Sequence, residues 1–206
     1  MLSKETDSIY FDALQEISNI GLGNAATALA ELLNRKVEIT VPRAYFLELE
    51  DVLSLFDDLA EVAACVNLAV EGDIEGTIIF LFPRKSILSL IDLVMGQEVG
   101  TTAELDEMGE SAAMEIGNIM SGSFMNAIGG MTGLVLNATV PVFAFDMIGA
   151  LFTTSILASG HFDEKILFIE TVFYPDQEQI KGHFFLLPEV GSLQKLFESL
   201  GLPVDG

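Results

Sequence analysis

Laid on itself at an offset of 99 residues, the chain aligns Glu-Ile-Ser-Asn-Ile (16–20) with Glu-Ile-Gly-Asn-Ile (115–119), Asp12 with Ser111 and Pro42 with Pro141. An internal repeat of this length confines the fold to architectures in which two similar units bury a common core. The match resumes after a small insertion in the second half, where Gly76, Phe82 and Pro83 meet Gly182, Leu187 and Pro188, and Gly96 meets Gly201.

Each half then predicts a long helix, an extended strand around the proline, a short helical stretch, a hairpin and a closing amphipathic helix. In the first half VNLAV and TIIFLF flank the turn EGDIEG, and in the second ILFIETVF and HFFLL flank PDQEQIKG. The closing helices, RKSILSLIDLVMG and EVGSLQKLFESLG, each stop at a glycine. Pooling the strands of both halves predicts an α+β fold with a pseudo-two-fold internal duplication, in which one mostly antiparallel shared sheet packs against the two long helices. The polar stretch 96–104 is too short for an interdomain linker, so the expected organisation is a single domain, 1–206, built of repeats at about 7–96 and 105–201.

The 30 residues from Ile116 to Phe145 carry no charge and raise the question of a membrane span. Five glycines, Asn118, Asn126, Asn137 and Pro141 interrupt them, so the expectation is a buried helix running through a turn into a buried strand. The N-terminal residues show no secretory signal, which makes the cytoplasm the expected compartment. With 31 acidic against nine basic residues the net charge is −22, which repels nucleic-acid phosphates and anionic lipid alike. The single cysteine, Cys65, lies in an apolar run and reads as a buried strand residue. His161 and His183 are far apart in sequence and have no ligand-spaced partners, so no metal site is expected.

What remains to carry chemistry is the duplicated helical motif. Residues 12, 16 and 19 fall within about a 60° sector at roughly 100° per residue and form one stripe, as do 111, 115 and 118. Leu14, Ile17, Gly21, Ala25, Ala28 and Leu32 are expected on the opposite, buried face. A polar stripe on an amphipathic helix is ordinarily just a solvated face. Asparagine, however, is a poor helix-interior residue, and its recurrence at the same place needs another reason. A carboxamide both accepts and donates hydrogen bonds, so it can hold a water in line with an electrophile without transferring a proton, which suits phosphoryl hydrolysis. Glycines 21, 23, 117 and 122 each cost about 1 kcal/mol in a helix and point to tight backbone packing or access for a partner, with tight packing the favoured reading.

An acidic residue or serine, three residues, Glu, two residues, Asn and 22 residues to Pro resembles the signature of the CheC, CheX and FliY phosphatases, and both halves match it. Two motifs in a chain of this length resemble the CheC type, and the likeness spans essentially the whole sequence. The resemblance implies a phosphatase of chemotaxis signal transduction that acts on phosphorylated CheY. Its catalytic residues would be Glu16 and Asn19 at one site and Glu115 and Asn118 at the other, supported by Asp12, Ser111, Pro42 and Pro141. It further implies that the asparagines place the hydrolytic water, that the glutamates contact a lysine of CheY, and that Mg²⁺ is carried by CheY. A second implied partner is the deamidase CheD, contacted by Asp146, Met147, Ile148, Gly149 and Ala150 at the start of an exposed helix. The alternative function is a non-catalytic adaptor that binds CheD or the flagellar switch.

Overall fold

In a computed structural model, residues 4–34, 36–160, 165–175 and 179–203 are described. The first half runs α1 (Lys4–Leu33), β1 (Val37–Glu48), α2 (Leu49–Val52), β2 (Val62–Gly72), β3 (Gly76–Pro83) and α3 (Arg84–Val94). The second runs α4 (Glu107–Thr132), β4 (Leu136–Ala138), β5 (Val142–Met147), α5 (Ile148–Ser159), β6 (Lys165–Pro175), β7 (Ile180–Pro188) and α6 (Ser192–Ser199). Helix α4 starts because the Asp106 carboxylate accepts from the Gly109 N–H at 2.8 Å, and it ends because Gly133 adopts the left-handed conformation at φ 75°. Glycines 96 and 201, also at positive φ, follow α3 and α6 at equivalent points of the two halves.

The strands form one sheet in the order β1-β6-β7-β3-β2, with β4 and β5 both on β2, and every described ladder is antiparallel. Exchanging the halves replaces β1 by β5, β2 by β6 and β3 by β7, and the order then reads the same backwards. A pseudo-two-fold axis therefore passes between β3 and β7, where Phe80 faces Phe184. The first strand of each half pairs outside its own half: β1 on β6, and β5 on β2.

Side chains alternate across the sheet. Ile78, Phe80 and Phe82 join Leu14, Ile17, Leu22, Met120, Phe124 and Phe184 under the long helices, while Ile79 and Leu81 join Cys65, Phe152 and Phe185 on the other face. That burial on both faces explains why TIIFLF is an unbroken apolar run.

The duplicated proline marks a break in register in both outer strands. Thr40 pairs with Val172 and Arg43 with Glu170, so three steps on β1 match two on β6. Ala138 pairs with Val70 and Val142 with Asn67, so four steps on the second-half strands match three on β2. Proline lacks the N–H that a ladder needs, so a bulge at an outer strand accommodates it. Pro141 lies between β4 and β5, whereas the side chain of Pro42 lies outside the described residues.

Two sequence expectations fail here. Leu32 is 41% exposed, and Leu29 takes the core position instead, because the buried stripe of a long helix drifts away from any fixed residue spacing. Strand β5 is an exposed outer strand rather than a buried one, leaving Val142, Phe145 and Met147 open. Its apolar sequence conceals this.

The helix pair is set by Gly21, where a Cβ would stand 2.9 Å from the Phe124 Cα and 3.2 Å from its ring. The Gly21→Val variant is expected to lose about 2 kcal/mol of stability in a urea titration, since the backbones must part to admit the side chain.

Candidate active site

On α1 the sequence alternates between anchor and stripe. Asp12, Glu16 and Asn19 are exposed, while Leu14, Ile17 and Ser18 are buried. On α4, Ser111, Glu115 and Asn118 are exposed, while Ala113, Ile116 and Gly117 are buried. The residue just before each asparagine is buried. Ser18 is fully buried and donates to the Leu14 carbonyl at 2.6 Å, and Gly117 sits so close to β2 that a Cβ would meet Val66 Cγ1 at 2.5 Å. The Ser18 bond stays within its own helix, so it is the burial of Ile17 and Ser18 on α1, and the close approach of Gly117 to Val66 on α4, that turn each neighbouring asparagine outward. The Ser111 hydroxyl is spent on its own helix, donating to the Glu107 carbonyl at 2.9 Å.

The four glycines separate into two kinds. Gly21 and Gly117 are tightly packed, as their sequence reading favours, but around Gly23 and Gly122 a Cβ would meet nothing within 4 Å. Internal contact does not explain that second pair.

The stripes offer carboxylate and carboxamide groups on an open helical face. Such a face can orient a water against an electrophile that another molecule brings, but it cannot enclose a small substrate. A groove of about 550 Å³ lies elsewhere, between β2, β5 and α5, lined among others by Asn67, Val142, Phe145, Asp146 and Ser155. At its base Cys65 is buried, which pushes its thiol up to about 11 despite the Ser155 hydroxyl 3.9 Å away, so it is a packing residue and not a nucleophile.

The segment 146–150 departs from expectation. Asp146 does not start a helix but is the penultimate residue of β5, accepting from the Met147 N–H at 2.7 Å, and Met147 is the residue that precedes α5. Ile148, expected to face a partner, is 1% exposed, because it begins the inward stripe continued by Leu151 and Phe152. Gly149 donates its N–H to the Leu59 carbonyl at 3.0 Å, and Ala150 is half-buried.

Among the described residues no three His, Cys, Asp or Glu side chains gather as metal ligands, and no helix is long and apolar enough to cross a membrane. His183 lies against the Phe56 and Phe168 rings, where burial lowers its pKa; His161 lies outside the described residues.

One residue that the sequence reading passes over holds the join between the halves. Asp92, fully buried near the end of α3, accepts from Gly100 N at 2.7 Å and Thr101 N at 3.1 Å with Oδ2, and from Thr102 N at 2.9 Å with Oδ1. Burial pushes its carboxyl upward, but the Thr102 side chain and these three N–H groups outweigh that and hold it below the ordinary carboxylate range. A lone carboxylate inside the apolar run SILSLIDLV, with Gly-Thr-Thr soon after it, is the available signal.

Residues 11–45 match the CheC-like family and residues 62–147 match the chemotaxis phosphatase CheX family. The chain is 34% identical to the CheY-P phosphatase CheC of Bacillus subtilis over 92% of its own length and 93% of that protein. It is 35% identical to the flagellar motor switch phosphatase FliY of the same organism over 54% of this chain, corresponding to 29% of that protein. Thermotoga maritima FliY has the same fold, with a TM-score of 0.80 over 98% of each chain at 24% identity.

Proposed function

The chain belongs to the CheC/CheX/FliY family, and on that footing we propose that it hydrolyses the aspartyl phosphate of phosphorylated CheY. The observation that carries this reading is the duplicated, outward-facing Glu–Asn pair, with the residue before each asparagine buried in each half. Asn19 or Asn118 holds a water behind the phosphorus, its amide oxygen accepting from the water. The water oxygen bonds to phosphorus as the bond from phosphorus to the aspartyl oxygen breaks, and the aspartate leaves as a free carboxylate. The water's protons pass to the phosphate released, so no general base on this chain is needed. Glu16 and Glu115 pair with a lysine of CheY and set the distance of approach, with Asp12 and Ser111 as supporting positions one turn earlier. Mg²⁺ belongs to CheY, where it neutralises charge on the phosphoryl oxygens.

The deciding experiment follows the loss of phosphoryl group from purified CheY with and without the chain. Decay at CheY's own rate, with the chain folded, would refute the phosphatase reading and leave an adaptor.

An adaptor role is supported by a separate observation, the exposed apolar surface of Val142, Phe145, Met147 and Leu157 along β5 and α5. That surface is proposed as the contact for CheD, with Asp146, Met147 and Ala150 within it. Asp146→Lys is expected to weaken CheD binding about tenfold in a titration while the melting temperature stays unchanged; equal affinity would remove the segment from the contact.

A further inference from the structure

The two motif helices are related by the pseudo-two-fold axis. Both pack on the same face of the sheet, so the axis stands perpendicular to that face and α1 and α4 run antiparallel. Gly21 meets Phe124, and the repeat puts Met120 and Ala25, both fully buried, at the corresponding places. The centre of the crossing therefore falls at the level of Gly23 and Gly122, around each of which a Cβ would meet nothing within 4 Å.

Asn19 and Asn118 each lie four residues before that centre, which is ~6 Å along each helix at a rise of 1.5 Å per residue. Because the helices are antiparallel, the two displacements point in opposite directions. Combined with an interaxial spacing of ~8 Å for helices in backbone contact, the asparagines stand about 15 Å apart. A small globular domain is about 30 Å across. A protein seated on either asparagine thus covers the glycine floor and overhangs the other.

Resting on the phosphatase reading above, we propose that the two sites are mutually exclusive: one CheY molecule at a time occupies the chain, in either of two orientations related by the axis. The duplication then raises the chance of productive encounter without raising the maximal rate. Gly23 and Gly122 keep low the floor that both orientations share, which gives these helix-breaking residues a purpose that internal packing does not.

The test is titration of the chain with CheY held in its phosphorylated form by Mg²⁺ and beryllofluoride, alongside steady-state hydrolysis by single-site variants. Disabling one site uses Glu16→Lys with Asn19→Ala, and disabling the other uses Glu115→Lys with Asn118→Ala. The expected result is one CheY per chain and a wild-type kcat lying between the two single-site values, with the loss on removing a site appearing in kcat/KM. Two CheY per chain, or a wild-type kcat equal to the sum of the single-site values, overturns the proposal. A wild type that neither binds CheY nor speeds its dephosphorylation overturns the underlying reading instead.

Discussion

Phosphate release from phosphorylated CheY falls by about 100-fold in the Asn19→Ala, Asn118→Ala double variant, the scale expected when a reacting group loses its positioning. The loss is in kcat rather than KM, because the carboxamide orients a water whose placement matters only at the transition state. Each single variant keeps the kcat/KM of its intact site. Both asparagines are exposed, so circular dichroism and the melting temperature should match the wild type, and alanine even favours the helix. Hydrolysis unchanged in the folded double variant would show that the asparagines do not place the water.

The second large effect is structural. Asp92→Ala removes the acceptor for three N–H groups in the segment joining the halves and is expected to cost about 3 kcal/mol, since hydrogen bonds to a charged group are the strong ones. For a chain of this size that lowers the melting temperature by about 10 °C, measurable by scanning calorimetry. The pH dependence has a definite sign. The folded carboxyl is held below its ordinary value, so the contribution is full above that value and is lost as pH falls through the folded one. The stability difference between wild type and Asp92→Ala should be widest near neutrality and narrow under acid conditions. A difference that stayed constant with pH would mean that the carboxylate's charge does not matter.

Much of the candidate site is legible in the residue spacing alone. The residues at 12, 16 and 19 share a face because a helix repeats every 3.6 residues, and the same arithmetic applies at 111, 115 and 118. The hairpins of each half are equally visible, since apolar runs broken by Gly, Asp and Glu have few other solutions. Expectation and fold part where apolar character does not mean burial. Val142 to Phe145 is apolar, yet it lies in an exposed outer strand, and Ile148 faces the core although its neighbours Asp146 and Met147 face solvent. Composition cannot distinguish these cases because burial depends on which element lies opposite.

The repeat, the helix period and the spacing from Asn to Pro are local or internal to the chain, so residue order alone dictates two outward-facing Glu–Asn stripes on two long helices. How those stripes stand to one another is a matter of tertiary packing. The antiparallel crossing at Gly21 and Phe124 and the bulges at the duplicated prolines join residues that are distant in sequence or paired across strands. Their physical cause is a sheet in which the first strand of each half completes the other, which brings the two helices together on one face.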